Sequence, residues 1–207
     1  MSGPSGVVVV TDRRQARARL PEVTAAAAAG GARWVLLREK DLPRAERLAL
    51  AGELRRILTP VGGRLIVAGR DPLGGDAVHL SAADPPTENH DQRGRGLVGR
   101  SCHDADEVGR LTIEDYLTVS PVFASASKPG YGPPLGVDGL ATLCRLTDRP
   151  VLALGGVETP DRAAACIAAG AAGVAVMGAV MRAPDPAAVV AELSAAVAGA
   201  VVNGPTR

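Results

Sequence analysis

Along the chain, short runs of Val, Leu and Ile alternate with longer stretches in which apolar residues recur among Ala, Arg and Glu at helical spacing. The short runs are continuously apolar, the mark of strands covered on both faces. Val7–Val10 is the first, ended by Thr11 and Asp12. Trp34–Leu37, Leu65–Val67, Ala77–Leu80, Leu97–Gly99, Tyr116–Val119, Val151–Leu154 and Val174–Met177 follow as strands two to eight. Between them the pattern predicts helices over Leu20–Ala29, stopped by Gly30 and Gly31, and over Arg44–Leu58, with Leu48, Leu50, Leu54 and Leu58. Further helices are expected at Asp104–Leu111, Val137–Leu146, Pro160–Ala169 and Pro186–Val197. Thr159 is a natural N-cap, and Pro160 suits the first helical position.

Two links are irregular. Residues 71–76 leave room for one helical turn at most between the third and fourth strands. Pro85–Gly96 is polar and reads equally as a loop or a degraded helix. Even so, eight strand signals with intervening helices favour closure, because right-handed βαβ units wind naturally into a ring. The expected fold is α/β, a (β/α)8 TIM barrel over residues 1–207 as a single domain.

Composition sharpens this picture modestly. With one Trp and one Phe among 46% hydrophobic residues, the core must be built from Val, Leu, Ile and Ala. The net charge of +1 gives no reason to expect nucleic acid or an anionic membrane as partner. Any anion site must be local. Cys102, Cys144 and Cys166 are odd in number and lack metal-type pairing, so reduced thiols are expected. Met1–Ser5 lacks the features of a signal peptide, and no apolar stretch is long enough to span a bilayer. A cytoplasmic location follows as the expectation.

In a barrel of this kind the loops that follow the strands face the active site. Three glycines, Gly155 and Gly156 after the seventh strand and Gly178 after the eighth, let backbone amides approach a phosphate closely. Tight turns alone would also explain them. Arg38 and Lys40 follow the second strand, and Ser125, Ser127 and Lys128 follow the sixth; together they can hold a polyanion, or stand as ordinary surface polar groups. An Arg38–Glu39 side-chain arrangement is equally consistent with a purely structural role.

His103, after the fifth strand, titrates near neutrality and is the first candidate for proton transfer, weighed evenly against a role at a helix N-terminus. Asp84 reads as a base or a helix cap. His79, inside a strand, reads as a buried structural imidazole, His90 as exposed, and Cys102 as packing.

These residues fall into blocks that resemble the thiamin-phosphate-synthase and TenI superfamily. Leu37-Arg38-Glu39-Lys40 is similar to its Leu-Arg-Glu-Lys motif, and Val78-His79-Leu80 to its Val-His-Leu strand. Gly99-Arg100-Ser101-Cys102-His103 is similar to its Gly-x-Ser-x-His turn, and Pro121–Pro129 to its Pro-x-Phe-x-Thr-x-Thr-Lys-Pro loop. Ala153–Val157 resembles Ala-Ile-Gly-Gly-Ile.

The synthase resemblance implies that a pyrimidine methyl diphosphate loses pyrophosphate and that a thiazole phosphate captures the resulting cation, with Mg2+ assisting. Arg38, Lys40, Ser101 and Lys128 would then hold pyrophosphate, Ser125 and Ser127 would supply hydroxyls, and Gly155, Gly156 and Gly178 would seat the thiazole phosphate. A homodimer is also implied.

The departures pull toward the TenI branch. Leu36 stands where synthases carry Gln. Gly69 replaces a magnesium-binding Asp, and Ser81-Ala82-Ala83-Asp84 leaves Asp84 as the only carboxylate of an expected pair. On the sequence, a thiazole tautomerase acting on carboxythiazole phosphate without a cofactor is placed narrowly first. The candidate catalytic groups are His103, first for the proton transfer, Asp84, and Lys128, which is expected to matter chiefly in the synthase reading. The tautomerase's own histidine position, however, is Pro121. An atypical synthase, with Mg2+ on Asp84, is second, and a non-catalytic regulatory or ligand-binding relative third.

Overall fold

The computed structural model describes residues 3–86, 96–125 and 132–203. Eight parallel strands close into a barrel in sequence order. They are β1 (Gly6–Val10), β2 (Trp34–Leu37), β3 (Arg64–Ala68), β4 (Ala77–Leu80), β5 (Leu97–Cys102), β6 (Tyr116–Val119), β7 (Val151–Leu154) and β8 (Gly173–Val176), with β8 pairing β1 from Gly6 opposite Gly173 to Val9 opposite Val176. The helices are α1 (Leu20–Ala29), α2 (Arg44–Leu58), α3 (Ala105–Gly109), α4 (Gly136–Arg145), α5 (Pro160–Ala168), α6 (Gly178–Met181) and α7 (Pro186–Asn203). The expected TIM barrel is the fold observed.

Pleating divides the strand residues into two sets. Val7 and Val9, Val35 and Leu37, Leu65 and Val67, and Leu117 and Val119 belong to the apolar layer between sheet and helices. Val8, Trp34, Ile66, Ala77, Leu97, Tyr116 and Leu152 pack inside the barrel. Tyr116 is the bulkiest of the fully buried side chains. A Cβ on Gly99 would overlap its ring, so the bare β5 backbone at that point is what gives the ring room to fill the barrel.

Several boundaries differ from the sequence reading. Strand β5 continues through Ser101 and Cys102, which therefore lie in the strand and not after it; pairing of Ser101 with Thr118 and Cys102 with Val119 carries it on. Strand β8 ends at Val176, and Met177 leads into α6, which the sequence reading missed along with a 3-10 turn at Thr59–Val61. Both are too short to show a periodic pattern. Helix α3 is shorter than expected, with Asp104 outside it as N-cap, its carboxylate accepting from the Glu107 amide at 2.8 Å. Helix α4 starts and ends one residue early, α5 ends at Ala168, and α7 runs on to Asn203. No helix forms between β3 and β4. Thr159 caps α5, accepting from Arg162 N at 3.3 Å, as its sequence predicts.

Candidate active site

Cavity floor and rim. At the C-terminal end of the barrel, one inward residue from each strand forms the floor of a cavity of about 610 Å3. Val10, Leu36, Ala68, Leu154 and Ala175 make an apolar arc from β7 round to β3. His79, Ser101 and Thr118 make a polar arc on β4, β5 and β6. Arg38, Lys40, Ser81 and His103 stand on its rim. A second cavity, of about 130 Å3, adjoins it at the β7–β8 corner and is lined by Ser125, Gly155, Gly156, Val157, Glu158 and Gly178 among others. Val10, Arg38, Ser120, Leu154 and Ala175 line both, so the two spaces adjoin at the barrel mouth.

The polar arc is a connected network. His79 Nε2 lies 3.0 Å from Ser101 Oγ and 3.3 Å from Thr118 Oγ1, and its Nδ1 lies 3.3 Å from the Tyr116 hydroxyl. Burial, reinforced by the charges of Lys40 and Arg100, pushes the imidazole down to about 3, so it is neutral at physiological pH. The expectation of a buried imidazole holds, but this one also lines the cavity. A consequence for stability follows. Unfolded, the imidazole returns to about 6.5, so between the two values the unfolded chain binds the extra proton. Stability is full above about pH 6.5 and falls toward pH 3, by up to about 1.4 kcal/mol per pH unit. His79→Gln is expected to flatten that slope in urea unfolding between about pH 7.5 and about pH 5; an unchanged slope would show that the titrating group lies elsewhere.

Strand-end residues. After β2 the side chains separate by role. Glu39 is buried and accepts from Thr11 Oγ1 at 2.9 Å, Arg13 N at 3.2 Å and Arg13 Nη1 at 2.9 Å, while Asp41 accepts from Arg13 and Arg14. Arg38 and Lys40, on either side of Glu39, are exposed at the cavity. Arg38 stands 4.0 Å from Asp12, a long contact. The structural pairing of the segment thus belongs to Glu39 with Arg13, which turns its neighbours toward the mouth.

His103 is at the rim, its Nδ1 2.8 Å from Glu107 Oε2, which also accepts from the His103 amide at 2.7 Å. Glu107 was not singled out from the sequence, although its spacing four residues beyond His103 on a capped helix was visible there. Asp84 is turned back: its Oδ2 accepts from Ser81 N and Ser81 Oγ, each at 2.6 Å. Burial opposes its ionisation, but those hydrogen bonds and the charges of Lys40 and Arg70 hold it below the usual carboxylate range. Cys102 is fully buried and its thiol is pushed up to about 12 by burial, which fits packing and not nucleophilic attack. Lys128 and Ser127, like His90, lie outside the described residues.

Asp84 and Gly69 also bear on Mg2+. Gly69 offers no side chain, Asp71 is committed to Arg44 at 2.6 Å, and Asp84 is held by Ser81. Among the described residues no group of three or more His, Cys, Asp or Glu side chains is placed to hold a metal ion. The acidic pair that a hard divalent cation favours is not presented among the described residues.

The glycine corner is defined by where its carbonyls go. Gly155 O accepts from Phe123 N at 3.0 Å, and Gly156 O from Arg162 Nη1 at 2.8 Å. In a trans peptide the N–H points opposite to the C=O, so the amides of Gly156 and Val157 face the other way. Both residues line the smaller cavity. Gly156 has φ of +65°, and a Cβ there would also meet the Phe123 Cβ at 2.7 Å, so tight packing on the β6 loop is part of its reason for being glycine. Glu114 and Arg182, which the sequence reading passed over, and Arg100, read there only as a member of a motif, also hold parts of this mouth.

Comparison with known proteins fits this architecture. The family model described as thiamine monophosphate synthase matches residues 7–180. The thiamine-phosphate synthase of Roseiflexus sp. (strain RS-1) is 38% identical over 210 residues, covering 97% of this chain and 88% of the relative. That of Moorella thermoacetica is 35% identical over 190 residues, covering 88% and 90%. Among solved structures, the thiamine phosphate pyrophosphorylase of Pyrococcus furiosus superposes with a TM-score of 0.82 at 26% identity, covering 95% of this chain and 96% of that one. A match through nearly the whole barrel, together with the ordered motifs at its strand ends, shows that the chain belongs to the thiamine monophosphate synthase family.

Proposed function

We propose that the chain is a thiamin-phosphate synthase, a transferase that joins a pyrimidine methyl diphosphate to a thiazole phosphate with release of pyrophosphate. The observation that carries this reading is the pair of adjoining cavities sharing Arg38. A reaction between two substrates needs two seats with their reacting ends together, whereas a tautomerase needs one. The names of the relatives support the same choice over the tautomerase that the sequence placed first.

In this reading Gly155, Gly156 and Gly178 seat the thiazole phosphate. Arg38 and Lys40, with Ser101 and Lys128, receive the charge that develops on the departing pyrophosphate. Ser125 and Ser127 supply hydroxyl donors. The polar arc is suited to the other half of the reaction: a neutral His79 offers hydrogen bonding without placing a positive charge beside a developing carbocation. The apolar arc excludes water, which would otherwise trap that cation. His103, paired with Glu107 at the rim, and Asp84, turned onto Ser81, are given supporting roles. Mg2+ is expected with a diphosphate substrate, but the described carboxylates fit it poorly, and no step is assigned to it.

The test is direct. Purified chain given both substrates, with and without Mg2+, is expected to form thiamin phosphate and pyrophosphate in equal amounts. If neither product forms, while the ultraviolet spectrum of a carboxythiazole phosphate changes faster with the protein than without, the tautomerase reading replaces this one.

A further inference from the structure

Gly178 differs from its partners in the glycine corner. Gly155 and Gly156 have φ of +97° and +65°, where glycine is favoured, but Gly178 is not among the glycines of positive φ. Its backbone therefore does not demand glycine. The three atoms nearest to the place a Cβ would occupy are Nη1, Nη2 and Cζ of Arg182. The missing side chain makes room for a guanidinium.

That guanidinium is placed by two other loops. One of its nitrogens donates to Gln15 Oε1 in the loop after β1, and Gln15 is itself fixed by donating to Asp12 Oδ2 at 2.7 Å. Nη2 faces Glu158 Oε1 at 3.4 Å, across side chains 40% and 37% exposed. Glu158 and Gly178 both line the small cavity, so the guanidinium lies beside two of its lining residues. The contact with Glu158 is long and solvated, the kind of ion pair that contributes little and is easily exchanged.

We propose that Arg182 is the charge-reading contact of the phosphate corner. When a phosphate monoester enters, the guanidinium exchanges Glu158 for phosphate oxygens, and Gln15 is the positioning residue that keeps the fork over Gly178. This rests on the phosphate cradle described above and deepens it. Backbone amides accept many oxyanions, whereas a guanidinium fork adds preference for a doubly charged phosphate over a neutral alcohol.

Calorimetric titration of the full chain with thiazole phosphate, and separately with the unphosphorylated thiazole alcohol, tests it. Arg182→Gln is expected to weaken the phosphate ester about 10- to 100-fold and to leave the alcohol unchanged. Gln15→Ala should weaken the ester by about 5-fold, and Glu158→Gln, by removing the competing carboxylate, should tighten it by about 3-fold. Opposite signs from Arg182 and Glu158 are not what a purely structural pair would give. If the unaltered chain prefers the ester but Arg182→Gln binds it within about twofold of the same affinity, the role of Arg182 is overturned and the cradle stands. If the unaltered chain does not distinguish ester from alcohol, the cradle falls and Arg182 with it. Should Arg182→Gln fail to fold, unchanged or weaker ester binding by Glu158→Gln overturns the proposal.

Discussion

Arg38→Ala is expected to lower kcat for thiamin phosphate formation by about 10²- to 10³-fold, the cost of removing one preorganised donor from a developing anion. The reason lies in its place. Its backbone amide is anchored by Thr11 Oγ1 at 3.0 Å, which holds the end of β2, while the side chain reaches the junction of both cavities. Its 4.0 Å approach to Asp12 leaves its charge less neutralised than that of Arg13, which is engaged by both Glu39 and Asp41. Arg38→Lys should restore part of the rate, since a point charge supplies attraction without the fork. Because the side chain is exposed, thermal unfolding should scarcely move. Steady-state kinetics with the diphosphate substrate varied would read this; a kcat within about threefold of the parent would remove Arg38 from the reaction.

Glu114→Ala carries the largest expected loss of stability, about 3–5 kcal/mol, or very roughly 10 °C in Tm for a chain of this size. Glu114 is buried before β6 and accepts from Arg100 Nε at 2.7 Å and from Thr112 N at 2.8 Å. Arg100, pointing outward from β5, also donates to the carbonyls of Ser81, Asp84 and Pro85 at 3.2, 2.7 and 3.1 Å. The pair therefore secures the loop after β4, whose Ser81 stands on the cavity rim, over the small apolar patch of Val78, Leu80 and Val98. Removing Glu114 strands a buried guanidinium; removing both, as Arg100→Met with Glu114→Leu, should recover most of the stability. Thermal melts of the single and double variants decide the matter, and equal destabilisation by both would show that the charge pair is not the cause. The pH dependence has a sign as well. Burial opposes ionisation of Glu114, but Arg100 and the Thr112 amide hold its carboxyl below the usual range, so the stability it contributes is present above the unfolded value, about 4.3, and is lost as pH falls through the lower folded one.

The two predictions mark how far the sequence could be read. Arg38 was legible because it follows an apolar run in a fold whose strand ends face the site. Arg100 was legible only as a member of a motif, because whether a strand residue points inward or outward depends on where β5 begins and ends. Once β5 runs to Cys102, the pleat sends Ser101 into the cavity with His79 and Arg100 out to Glu114. His103 and Asp84 were found at strand ends, but their engagement by Glu107 and Ser81 is a matter of rotamer and loop path.

By itself, then, the order of residues determined the eight-stranded barrel and placed Gly155 and Gly156 at a strand end, since each follows from short-range pattern: continuous apolar runs, caps, and a turn of positive φ that favours glycine. Only the tertiary structure decided that the mouth holds two adjoining cavities, that its floor is polar on one side, and that Arg182 reaches Gln15 and Gly178. Those features join residues as far apart in the chain as 15 and 182. Their contact depends on barrel closure, which brings the first strand's loop beside the last strand's, and no local pattern encodes that distance.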